Sequence, residues 1–198
     1  MNQKINLKEI ERKAYTSYHQ DGIIDITIAF VVLTFAAVMT VEMPWLGGVS
    51  GALAVSFYAG LKRIVTVPRI GYVKFPQQRA QKTVMLILVL GLFGMIAGVF
   101  TFIELTNSGT PDWLLFMIDN YMITIGVAVA VLFLLGAYSF KTRRIYGYSL
   151  LTLVMFVGGH FISFPLYYYL AVLGIIILAS GLTMMTRFVN MHPETTEE

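Results

Sequence analysis

At 198 residues, with 57% apolar and 13% charged side chains, the chain carries more hydrocarbon than a soluble fold of this size can bury, because globular domains hold about a quarter charged residues. The net charge of +3 is concentrated in a few short segments and no nucleic-acid partner is expected from it. With no cysteine, disulfides, thiolate metal sites and thiol nucleophiles are excluded.

In chain order, residues 1–21 come first. Leu7, Ile10, Ala14 and Tyr18 fall at helical spacing, with Lys4, Lys8, Arg12 and Lys13 mostly turned away from them. This predicts an amphipathic helix on the inner membrane surface or docked on the inner loops. Charges recur through the first 13 residues and no apolar run follows until Gly22, so the segment does not read as a cleavable signal peptide and the first span is expected to be retained.

Six apolar stretches follow, over residues 22–41, 45–61, 83–103, 113–140, 145–164 and 165–185, each close to or above the roughly 20 residues that cross a hydrocarbon core. The expected fold is an all-α, polytopic transmembrane bundle over residues 22–187, with a basic loop at 62–82 and a tail at 188–198. All 14 Lys and Arg residues lie before span 1, between spans 2 and 3, between spans 4 and 5, or at the end of span 6. The other three connections hold none. By the positive-inside rule both termini are then cytoplasmic.

Small residues recur every fourth position in span 2 (Gly48, Ala52, Ser56, Gly60), span 3 (Gly94, Gly98) and span 4 (Gly126, Ala130). Such faces let helix backbones approach closely in lipid. They are expected inside one bundle, with a homodimer or another membrane protein as the alternative partner. A shift of 121 positions lays Pro44 on Pro165 and Ala59-Gly60-Leu61 on Ser180-Gly181-Leu182, which suggests that spans 1–2 and 5–6 are parallel repeats.

Two polar groups stand out. Asp119 and His160 fall within spans 4 and 5 toward the outer face, and Glu42 and Glu104 close spans 1 and 3 on the same side. Ionisable residues in a span face the bundle interior, a partner or water, so this cluster is the first candidate binding site. It suits a cationic solute, a divalent cation or a proton relay; the structural alternatives are a plain Asp119–His160 hydrogen bond or two unconnected interfacial residues. Asp119 and His160 are expected to face each other and line an outward-opening polar cavity.

The second group is cytoplasmic. Asp25, just inside span 1, needs a cation, and Arg63 or Arg69 is the expected partner, with Arg143 a further candidate. Pro68 and Pro76 argue against helix beyond span 2 and suggest an extended or hairpin-like segment around Gly71. Arg63, Arg69, Lys74, Arg79, Lys82, Arg143 and Arg144, interleaved with Tyr72 and Phe75, form a basic platform suited to anionic lipid headgroups or an acidic partner.

The motifs QDGIIDI at 20–26 and PRIGYVKF at 68–75, and more weakly MTRFVNMHP at 185–193, resemble a group of small prokaryotic multi-spanning proteins that have no assigned activity. The resemblance implies a membrane protein and no more. In size and number of passes the chain is also similar to the substrate-binding subunits of energy-coupling-factor transporters, although Ala29, Ala36 and Ala37 do not form the AxxxA face that those subunits carry on span 1.

There is no glycine-rich nucleotide loop, no His-Glu-x-x-His and no Gly-x-Ser-x-Gly, so no catalytic residue, metal or cofactor is assigned. The expectation is a non-catalytic transport or accessory subunit that holds a solute or lipid in the outer half of the bundle. A structural or regulatory protein without a ligand is the alternative, and an intramembrane hydrolase using His160 the third reading.

Overall fold

A computed structural model of the protein describes residues 20–43, 46–71, 110–140, 142–162 and 164–193. The expected surface helix before Gln20, the third span, the basic loop beyond Gly71 and the last five residues lie outside the described residues. Every regular element among the described residues is helical: α1 (Ile23–Thr40), α2 (Gly47–Leu61), a π-helical turn (Lys62–Thr66), α3 (Val67–Ile70), α4 (Asp112–Asp119), α5 (Tyr121–Phe140), α6 (Arg143–His160) and α7 (Leu166–Met191).

Three of these helices, α1, α5 and α7, are long and apolar enough to cross a membrane, and only 33%, 28% and 28% of their apolar windows are buried. The rest of each window is half-buried or exposed, and on α5 and α7 the exposed part includes Val127, Leu132, Leu134, Val172 and Ile175, apolar surface that suits lipid and that water would penalise. Tyr121 and Tyr138 are both exposed at opposite ends of α5. Their 17-residue separation corresponds to about 26 Å of helix, close to the thickness of a hydrocarbon core. Threonines inside the helices donate to their own backbone, Thr27 to Ile23 O, Thr34 to Phe30 O, Thr152 to Tyr148 O and Thr183 to Ala179 O, so these hydroxyls need no water.

Packing rests on close antiparallel pairs. Along α1 and α7 the glycines set the approach: a Cβ at Gly174 would meet the Leu33 side chain and one at Gly181 would meet Ile26 and Asp25. Gly22, with φ of 77°, lies against the Gly181 carbonyl, which no L side chain in that left-handed conformation would allow. These contacts bring the start of α1 and the end of α7 to the same end of the bundle. In the α5–α6 pair Gly126 receives Phe156, while Ser149 Oγ donates to the Ala130 carbonyl at 2.8 Å. The small face foreseen in span 4 is therefore internal. On α1 and α2, Phe30 stacks on Phe57 with centroids 4.8 Å apart. The α2 stripe behaves differently: Ala52 and Ser56 are exposed, so that face does not close against the described bundle.

Two sequence expectations are corrected and a third is refined. The stretch at 113–140 is not one helix but divides at Asn120, whose backbone N–H and side-chain amide both donate to Phe116 O at 3.0 Å. The chain beyond Leu61 stays helical to Ile70, through Pro68, and stops at Gly71, φ 84°; the rest of the segment expected to be extended, residues 72–76, lies outside the described residues. The π turn makes this continuation of helix possible, because it restarts the helix so that Pro68, which has no N–H to donate, sits in a first turn where none is required. Finally, α7 runs through Met191, with Phe188 buried and stacked on His192 at 4.8 Å, so helix continues into the segment expected as the tail.

Candidate functional site

The bundle has two polar ends of opposite character. At the end that gathers the start of α1 and the end of α2, Asp21 is fully buried. Its Oδ1 accepts the Ile23 N–H at 3.2 Å, which satisfies one of the open donors of the α1 N-terminus. Its Oδ2 accepts from Lys62 Nζ at 2.6 Å and from Thr66 Oγ1 at 2.5 Å. Lys62 and Thr66 are four residues apart and so project from one face of the helix toward the same oxygen. Burial lowers the Lys62 amine from its ordinary value, and the Asp21 carboxylate beside it partly restores it. Lys62 also passes over the Tyr58 ring, 5.7 Å from its centroid.

One turn further along α1, Asp25 is likewise fully buried, and its Oδ2 lies 3.0 Å from Arg144 Nη1. The partner is thus Arg144, at the start of α6, and not Arg63 or Arg69 on the α2 extension, nor the neighbouring, exposed Arg143. Register decides this: Asp21 already takes the inward-facing Lys62, and Arg63, next on the helix, is exposed. The Asp25–Arg144 contact is one of charge. Neither Asp25 oxygen and neither Arg144 terminal nitrogen has a hydrogen bond of ordinary geometry. Beside them the Tyr148 hydroxyl donates to Ser180 Oγ at 2.8 Å, tying α6 to α7. The pairs connect α1 to the α2 extension and α1 to α6.

The basic platform is correspondingly smaller among the described residues. Arg63 and Arg143 are exposed, Arg69 is half-buried with Nη1 donating to Val65 O at 2.8 Å, and Arg144 is drawn into the bundle. Lys74, Arg79 and Lys82 lie outside the described residues. Asp21, Lys62 and Thr66 carry this end and were not singled out from sequence. Their signal was the matched four-residue spacing of Asp21–Asp25 and Lys62–Thr66 at the two ends of one predicted hairpin.

At the opposite end, Asp119 and His160 do line one cavity, of about 530 Å³, together with Tyr121, Met122, Gly159, Ile162, Phe164 and Pro165. Neither residue sits deep in a helix: Asp119 closes α4 at the Asn120 break, His160 closes α6, and both are exposed. Among the described residues no hydrogen bond or ion pair joins them, so their placement is a shared wall and not a direct pair. The Tyr169 hydroxyl donates to Ile162 O at 3.0 Å and fixes the turn that forms the cavity's rim. Glu42 is exposed in the turn after α1, with φ of 59°, and does not line this cavity among its described walls; Glu104 lies outside the described residues.

Among the described residues no group of three His, Asp or Glu side chains is placed to hold a metal ion. No protein-family model, curated protein or solved structure matches the chain.

Proposed function

We propose that the protein is a six-span membrane protein of the prokaryotic cytoplasmic membrane, with both termini in the cytoplasm. It serves as a small, non-catalytic transport or accessory subunit that holds a solute in the cavity of Asp119 and His160. The observation that carries the reading is the contrast between the ends. The polar side chains at the basic end are mostly spent on one another, whereas those at the acidic end stand unpaired around open volume. A cavity of this size is in the usual range for small-molecule sites, about 300–1,000 Å³. The orientation rests on the distribution of Lys and Arg. The likeness of QDGIIDI and PRIGYVKF to a group of small prokaryotic membrane proteins enters the proposal on those two motifs alone.

Two experiments test it. Mass spectrometry of detergent-purified protein should find a retained small molecule, and Ile162→Trp, which fills the cavity from its exposed rim, should lose that molecule while melting at the same temperature. Wild-type protein with nothing retained, or an Ile162→Trp variant that retains it equally, would count against the site. For orientation, single cysteines at Lys74 and Ser108 should react oppositely with an impermeant thiol reagent in intact cells. Labelling at position 74 from outside would overturn it.

A further inference from the structure

We infer that the occupant of the Asp119 cavity is an organic cation, a single positive charge on a largely apolar body. This rests on the cavity being the binding site and on the orientation proposed above, and it adds the chemical class of the ligand.

The first argument is charge. The chain segments assigned to this side of the membrane contain four carboxylates, Glu42, Glu104, Asp112 and Asp119, and not one Lys or Arg, since all 14 fall in segments of the other side. The structure places Asp119 in the cavity wall and leaves Glu42 and Asp112 exposed. A charged cleft with low-dielectric walls focuses its field, so this mouth concentrates cations and repels anions. No basic side chain offsets Asp119 among the described residues, in contrast to Asp21 and Asp25. An entering cation gives that carboxylate its missing counter-charge.

The second argument is the rest of the lining. A bare metal ion wants several hard donors at bonding distance, whereas here one carboxylate and one imidazole border a space far larger than an ion. Met122, Ile162, Phe164 and Pro165 supply apolar wall, which a hydrated ion would leave unused and an organic body would cover. Tyr121 and Phe164 add ring faces, which attract a cation that carries little hydration of its own. His160 offers a ring nitrogen to a ligand that has an N–H. The same chemistry belongs to a free amine or quaternary ammonium and to the headgroup of a choline lipid.

The test uses two probes of nearly equal shape and opposite charge, tetraphenylphosphonium and tetraphenylborate. Equilibrium dialysis against the full-length protein in uncharged maltoside micelles, corrected for empty micelles, measures each. Tetraphenylphosphonium should bind at least ten-fold more tightly than the borate, and Asp119→Asn should remove most of that preference. Asp112→Asn, which neutralises an exposed carboxylate outside the lining, should leave most of it, and an unchanged melting temperature shows that each variant is folded. Displacement by tetramethylammonium assigns the site to a free cation. Displacement by phosphocholine, with tetramethylammonium inactive, assigns it to a lipid headgroup; both support the inference. If the two probes bind equally, with affinity lost in Ile162→Trp, the cavity is a site but the cation inference is overturned. If neither binds, the inference and the cavity reading fail together.

Discussion

The two ends of this bundle use the same kinds of side chain and arrive at opposite outcomes. At one end Asp21 and Asp25 are wholly buried and each meets a cation, Lys62 or Arg144. At the other, Asp119 and His160 border the same open volume without touching. What separates them is solvent. A buried carboxylate without a partner costs several kcal/mol, so the fold at the basic end is organised around pairing. An exposed carboxylate carries no such cost and keeps its lone pairs for something else.

That contrast predicts a gradient of mutational effects. Lys62→Met should be the most damaging, because it strands the Asp21 carboxylate in a dry site; the expected loss is about 3–5 kcal/mol. Unfolding in mixed SDS and maltoside micelles measures it. Adding Asp21→Asn to Lys62→Met should recover part of the loss, and a purely additive double variant would show that the pair is not coupled.

Next comes the second pair, where the partners are unequal. Arg144→Met leaves a fully buried carboxylate and should cost about 3 kcal/mol, whereas Asp25→Asn leaves an arginine whose terminal nitrogens are buried but whose long side chain, 24% exposed, has room to turn them toward water, so it should cost less. The reverse order in the same assay would show that the charge in need of compensation is the guanidinium.

Backbone approach gives a third and smaller effect. Gly22→Ala adds a methyl group against the Gly181 carbonyl, in a left-handed backbone, and overpacking of this kind costs about 1–3 kcal/mol. Gly60→Ala, where a Cβ would meet nothing among the described residues, should be neutral or stabilising by comparison. Equal losses would break the assignment of the α1–α7 contact as the tight one.

The smallest expected change is at Asp119. Asp119→Asn should move stability by no more than about 0.5 kcal/mol, since the residue is exposed and unpaired. A large loss there would mean that the cavity end, too, is held by its polar groups.

Composition and periodicity alone determined that the chain is helical and suited to lipid, because a membrane leaves only internally hydrogen-bonded backbone as an option and apolar runs of sufficient length announce it. The need of Asp25 for a cation was equally legible, as a matter of desolvation. Which cation answers it was not, because Arg63, Arg69 and Arg144 are equivalent in sequence and only the rotation of each helix about its axis turns Lys62 and Arg144 inward and Arg63 outward. The break at Asn120 also escaped hydropathy, which sees apolar residues on both sides and not a side-chain amide that bonds back to the Phe116 carbonyl. That break sets Asp119 at the rim of a cavity instead of deep in a span. A sequence records which groups must find partners in a low-dielectric medium, while helix register and helix ends, settled by packing over the whole bundle, decide which of them do.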